Sequence, residues 1–272
     1  DALRPDRCIV APAFPRHGRV TRDGVQYLRD ADGCRPVGAR LVDDLAREGL
    51  SVALCRPEDP APDGVSLWDC ESDADLACVV TRGRARSGIT LWCGSGGLAA
   101  ALAGGGHSVV VAPADLPRPI LGLFGTDHPV THGQIAACGE AVIILADGGA
   151  ESVARVAAQL AGGGPVLVRL ALSEGTARSE ASARIAGAFS ELIRALPAPG
   201  TLIVAGGETL RDLCRALGAE RLDLNGEIEP GVPRSILRGG RFDGVHVVSK
   251  SGAFGAPDLL KRLTFPFQGD HA

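Results

Sequence analysis

The chain has 272 residues, 45% of them apolar, with 28 basic against 32 acidic side chains and a net charge of −4. That length can bury one large core or two smaller ones, and the composition excludes a disordered chain. Arginines are spread along the sequence rather than gathered in tracts, which argues against nucleic acid or an anionic membrane as partner, and no apolar run approaches the roughly 20 residues that span a bilayer. A cytoplasmic protein is expected.

The first half alternates short apolar runs with helical patterns. Arg7–Ala11 reads as a strand ending at Pro12, Arg40–Glu48 as a helix ending at Gly49, and Leu50–Cys55 and Val65–Cys70 as strands. Asp73–Thr81 has a helical pattern and Gly88–Cys93 that of a strand, which gives a βαβ rhythm and hence a mostly parallel sheet. Between the first strand and the first helix, Arg16, Arg19, Thr21, Asp23, Gly24 and Tyr27 read as a polar, cationic loop, in which Arg16 and Arg19 are the candidates to hold a carboxylate.

The turn Gly94-Ser-Gly-Gly-Leu-Ala99 follows a strand and precedes a short helix and the apolar run 107–111, imitating a dinucleotide-binding G-x-G-x-x-A unit. A NAD or flavin oxidoreductase is therefore one reading of the chain. The shortness of the helix, and Ala112-Pro113 where an acidic ribose ligand belongs, count against it. Three prolines within 111–119 then forbid a helix, so a linker is placed at 113–119 between a first domain, 1–112, and a second, 120–272.

Beyond the linker the pattern is strand 120–124, helix 130–138, strand 141–146, helix 151–160, strand 165–170, helix 181–196, strand 202–205, helix 208–217 and strand 245–249. The fold class expected is α/β, in two domains, each a mostly parallel sheet flanked by helices. Three glycine-marked turns stand out in the last quarter: Gly206-Gly-Glu-Thr209, Pro230-Gly-Val-Pro233, and Lys250-Ser-Gly-Ala-Phe-Gly255. A double glycine between a strand and a helix leaves free backbone N–H groups and a positive helix end where a phosphate can approach. No Walker A sequence occurs. Gly125-Thr-Asp-His128 is a further strand-to-helix turn, and its His128 and His132, four apart, lack a third ligand, so no metal site is expected there.

Eight cysteines, with no C-x-x-C pair and several inside apolar runs, are expected to be buried reduced thiols. There is no methionine, even at position 1, so the expectation is a partial chain or a shortened relative of something longer.

Taken in order, Pro12-Ala-Phe-Pro15 with Gly18-Arg19, Asp73-Ala-Asp-Leu76, Gly94–Ala99, His128-Pro-Val-Thr131 with Gln134-Ile135, Gly206–Thr209, Pro230–Pro233 and Lys250–Gly255 resemble the four-carbon acid sugar kinase family. The resemblance implies an ATP-dependent kinase of carbohydrate catabolism that phosphorylates a hydroxyl of threonate, erythronate or a 3-oxo derivative. It implies ATP and Mg²⁺ as cofactors, a small carboxylate sugar as substrate, and an N-terminal acid-sugar domain followed by a C-terminal nucleotide domain. By the same likeness Thr126, Gly206, Gly207, Glu208, Thr209 and Gly252 contact ATP, and Lys250, placed near the phosphates, is the candidate catalytic residue. The family's opening D-D-x-T-G-A turn and its D-S-T-x-R-G segment are not in this chain, and Ala253 replaces the usual Gly or Asn. The expectation is a chain that binds nucleotide but transfers phosphate poorly, with Asp69, Asp127 and Glu208 as the carboxylates left to serve as base. A catalytically silent nucleotide-binding relative is the remaining alternative. The assembly is left open, with room for a homodimer.

Overall fold

The computed structural model describes residues 4–30, 33–104, 116–173 and 175–265. The strand expected over 107–111 and positions 113–115 of the linker lie outside the described residues. The chain divides into two compact units, Asp1–His107 and Ser108–Ala272.

The first unit runs β1 (Arg7–Ala11), β2 (Arg19–Arg22), β3 (Val25–Asp30), β4 (Gly33–Arg40), α1 (Leu41–Arg47), β5 (Val52–Cys55), β6 (Gly64–Trp68), α2 (Asp73–Arg84), β7 (Thr90–Gly94) and α3 (Gly96–Leu102). Among the described residues β5, β6, β1 and β7 form a parallel sheet in that order. One face is buried by Leu76, Val79 and Val80 of α2 and Leu98 of α3 against Ile9, Ala11 and Trp68. Helix α2 starts where it does because Ser72 and Asp75 form a capping box.

The polar loop expected after β1 is instead an antiparallel sheet, β2-β3-β4. Its first turn is Asp23-Gly24, both with positive φ (50° and 73°), the two-residue hairpin geometry that this dipeptide favours. Asp69 fixes the turn by accepting from the Asp23 and Gly24 N–H groups at 2.7 and 3.0 Å.

The second unit runs β8 (Ile120–Phe124), α4 (Pro129–Ala136), β9 (Val142–Leu145), α5 (Ala150–Ala161), β10 (Val166–Leu170), α6 (Arg178–Ala195), β11 (Thr201–Ala205), α7 (Gly207–Leu217), β12 (Arg221–Glu229), β13 (Val232–Arg238), β14 (His246–Lys250) and α8 (Leu259–Thr264). Its sheet has the order β12-β13-β14-β11-β8-β10-β9, parallel from β14 to β9 and antiparallel at β12 and β13. Pro230-Gly231, read from the sequence only as a turn, closes the β12–β13 hairpin.

Both faces of this sheet are covered, as a parallel sheet requires. Leu121, Leu123, Leu202 and Val204 pack with Val156 and Leu160 of α5, Phe189 and Leu192 of α6 and Leu213 of α7. On the opposite face Ile120, Phe124 and Ile203 pack with Ile135 of α4 and Leu259, Leu260 and Leu263 of α8. The helices that follow neighbouring strands β8 and β11 thus leave toward opposite faces. That divergence is a topological switch point, where open α/β sheets leave a crevice at the carboxyl ends of their strands.

All eight cysteines are free, but only Cys55, Cys70 and Cys138 are buried. Cys34 and Cys93 are exposed, contrary to expectation, because β4 is exposed along its length and Cys93 lies on an outward position of β7.

Candidate functional site

At the carboxyl edge of the second sheet, three adjacent strands end in the turns that the sequence marked. Gly125 N–H donates to the Ala205 carbonyl (3.2 Å), and Gly206 N–H to the Lys250 carbonyl (3.1 Å), so the turns after β8, β11 and β14 are tied to one another in sheet order. Each glycine at the junctions has a different reason to be there. A Cβ on Gly125 would strike Thr209 Oγ1, and Gly206 has φ +110°, which L side chains rarely adopt. A Cβ on Gly252 would strike Thr126 Oγ1 and, at 2.9 Å, His128 Cβ. Gly207 differs from all of these, since apart from its chain neighbours and the backbone of its own helix no described atom lies within 4 Å of where its Cβ would be.

The structure therefore brings Thr126, Gly206, Gly207, Thr209 and Gly252 together. Thr126 Oγ1 accepts from the His128 N–H (3.2 Å), and His128 Nδ1 accepts from the Val130 N–H (3.2 Å), capping α4. Glu208, exposed on the first turn of α7, accepts a hydrogen bond from Ser182 Oγ of α6 at 3.1 Å. The first-turn amides of α7 have no intrahelical acceptor. The amides of Gly252 and Ala253 likewise make no hydrogen bond among the described residues. Two sets of unsatisfied donors at one sheet edge form a ready anion site.

Lys250 is not an exposed cation. It is 4% exposed, and its Nζ donates to Thr131 Oγ1 at 2.6 Å and, at 3.5 Å, to the Gly252 carbonyl, which also accepts from Thr131 Oγ1 at 2.7 Å. The ammonium thus sits behind the turn that follows β14. Burial pushes its pKa down to about 8, with Glu229 opposing. The unfolded chain holds this proton up to its ordinary value of 10.5, so between about pH 8 and 10.5 the unfolded state binds more proton and this group's contribution to stability rises with pH. The thiols of Cys8, Cys55, Cys70, Cys138 and Cys214, all raised by desolvation from an ordinary value of 9.0, act in the opposite direction above that pH in the same window. The comparison is therefore between wild type and Lys250→Met. Over that window, denaturant unfolding should show wild type gaining about 3 kcal/mol relative to the variant. A difference independent of pH would mean that the amine is not desolvated.

His132 does not join His128 in a ligand set. Its Nε2 faces Arg169 Nη2 at 3.1 Å, and burial followed by the Arg169 charge lowers its pKa. Arg16 and Arg19 lie in the first unit. Arg16 is half-exposed and paired with Asp73 at 3.0 Å, whereas exposed Arg19 forms no ion pair among the described residues. Of the carboxylates considered as bases, Asp69 is committed to the β2–β3 turn, and Asp127 is exposed beside Thr126.

The Gly94–Ala99 turn has the outline of a dinucleotide site without its space. A Cβ on Gly94 would strike the Ala11 carbonyl, one on Gly97 would lie 2.6 Å from the Ala13 carbonyl, and one on Gly96 would lie 3.0 Å from the Phe14 ring. Ser95 Oγ donates to the Ala13 carbonyl (2.6 Å) and accepts from the Gly97 N–H (3.2 Å), so the chain's own segment 11–14 and a serine cap occupy the α3 start. These glycines admit protein backbone, not a pyrophosphate.

Sequence reasoning gave no role to Thr131 and Gln134. Both are buried on α4, three residues apart and so on one helix face, as polar side chains where an apolar pattern would place core residues. That substitution of polar for apolar on an inward face is the signal that could have found them.

The profile of a family described as nucleotide-binding C-terminal domain matches residues 121–260. A D-threonate kinase of Cupriavidus necator is 32% identical over 301 residues, an alignment covering 93% of this chain and 71% of that protein. A 3-oxo-tetronate kinase of Pseudomonas fluorescens is 28% identical over 325 residues, covering 100% of this chain and 74% of its own length. A solved structure from Salmonella typhimurium matches with a TM-score of 0.68 at 19% identity, over 97% of this chain and 74% of that one, a likeness of fold alone.

Proposed function

This chain belongs to the four-carbon acid sugar kinase family, and from that premise we propose that it binds ATP at the carboxyl ends of β8, β11 and β14 and transfers the γ-phosphoryl group to a hydroxyl of threonate, erythronate or a 3-oxo relative. The observation that carries the nucleotide half is the pair of unsatisfied amide sets, at the start of α7 and at Gly252-Ala253, beside a topological switch point.

In this reading the amides of Gly207, Glu208 and Thr209 hold one part of the phosphate chain and those of Gly252 and Ala253 another, with the Thr126 turn alongside. Lys250 contributes positive charge from behind its turn and holds Thr131 and the Gly252 carbonyl in place, so it acts as a positioning group and not by touching the phosphate. Among the described residues no three acidic, histidine or cysteine side chains cluster as a metal cage. Exposed Asp127 and Glu208 at these turns would be the carboxylates available to Mg²⁺ carried on the nucleotide. Bound there, Mg²⁺ would supply neutralisation of the phosphate charge. Arg19, with Arg16 once released from Asp73, is assigned to the substrate carboxylate.

The test is ADP release from MgATP with and without each four-carbon acid, checked by detecting the phosphorylated acid. An acid-dependent rate, however slow, supports the kinase. ATP binding with no acid raising ADP release would leave the silent nucleotide binder as the better reading.

A further inference from the structure

Gln134, on α4 and 1% exposed, reaches the turn after β14 with its side chain. Its Nε2 lies within hydrogen-bond distance of three consecutive carbonyls, Phe254 (3.3 Å), Gly255 (3.0 Å) and Ala256 (2.8 Å), among which its two N–H groups are shared. From the other side Glu229 Oε1 accepts from the Ala256 N–H at 2.7 Å, and Arg262 holds the second oxygen of Glu229 at 2.6 Å. Gly255, with φ +93°, passes between them, and a Cβ there would lie 3.1 Å from Gln134 Nε2 and 3.2 Å from Glu229 Oε1. Carbonyls 254–256 face Gln134 and the 252 carbonyl accepts from Thr131, while the Gly252 and Ala253 amides make no hydrogen bond among the described residues.

Resting on the nucleotide reading above, we propose that Gln134 is a positioning residue of the site: its carboxamide clamps backbone 254–256 so that the Gly252 and Ala253 amides stay fixed for a phosphate of the nucleotide. A purely structural part is a poor account of this side chain. Gln134 Oε1 is buried with no hydrogen-bond partner among the described residues, an expense to stability that a residue kept only for packing would not carry. Preorganised amides, by contrast, bind an anion without first having to be ordered.

The test uses the full chain, ADP as ligand, and two variants. Gln134→Met removes the donor at similar volume. Calorimetry should show its ADP Kd raised at least about tenfold, and hydrogen exchange across 251–256 should be faster than in wild type. Gln134→Glu supplies a donor only when protonated, a form favoured by burial among carbonyls. Its ADP affinity relative to wild type, measured at each pH, should therefore recover as pH falls from 8 to 6. An ADP Kd in Gln134→Met within threefold of wild type, or unchanged exchange at 251–256, would overturn the role. If Gln134→Met does not fold, a pH-independent ratio in Gln134→Glu overturns it. Absence of ADP binding by wild type would overturn the nucleotide reading itself, which is distinguishable from variants that keep wild-type affinity.

Discussion

Replacing Gly207 with valine should raise the Kd for ADP by at least about 100-fold, some 2.7 kcal/mol, while leaving the fold intact. The reason is that Gly207 is neither strained nor crowded: its φ is not positive, and nothing beyond its chain neighbours and own helix backbone lies within 4 Å of its Cβ position. The added Cβ has open space around it, and the side chain would stand at the first amides of α7, where the phosphate is assigned. Helix propensity alone makes valine no worse than glycine in a helix, so no loss of stability is expected from that source. Calorimetry with ADP and thermal unfolding of the same sample check both halves. Wild-type affinity in a folded Gly207→Val chain would remove α7 from the site.

Gly252→Val should lose ADP binding to a similar degree but for a different reason, and with an unfolding temperature lower by about 5 °C or more. Here the new side chain collides with Thr126 Oγ1 and His128 Cβ, which cannot withdraw freely because Thr126 Oγ1 accepts from the His128 N–H and His128 caps α4. Overpacking of that kind costs about 1–3 kcal/mol. The two valine variants thus separate a glycine kept open for a ligand from one kept small for the protein. A thermal stability for Gly252→Val equal to that of Gly207→Val would mean that the β8 and β14 turns do not pack as described.

Much of the parallel architecture could be read from the sequence because its strands are short apolar runs closed by glycine or proline and its helices carry i, i+3, i+4 stripes. Leu210, Leu213, Cys214 and Leu217 on α7 are one such case. The antiparallel parts were less legible. In β2 and β3, Arg19, Arg22 and Arg29 interrupt the alternation, and their ion pairs with Glu71, for Arg22 and Arg29, become visible only in three dimensions. The β12–β13 hairpin was masked by its charged strand Arg221–Glu229, whose pairing with β13 is broken by bulges.

At the site, glycine turns were legible because backbone requirements leave a mark on residue type. What each side chain touches was not. Family likeness places Lys250 near the phosphates, but that its ammonium is buried against Thr131 is seen only in three dimensions. Likewise the glycines of 94–97 copy a nucleotide motif, and only the approach of Ala11, Ala13 and Phe14 shows that they serve packing.

The most direct test of the central claim is to map backbone amide shifts of the ¹⁵N-labelled chain as ADP is added. Shifts concentrated at 125–128, 206–209 and 251–255, saturating together, are the expected result. Shifts centred on 94–99 with those three turns silent would contradict it and return the nucleotide to the first unit.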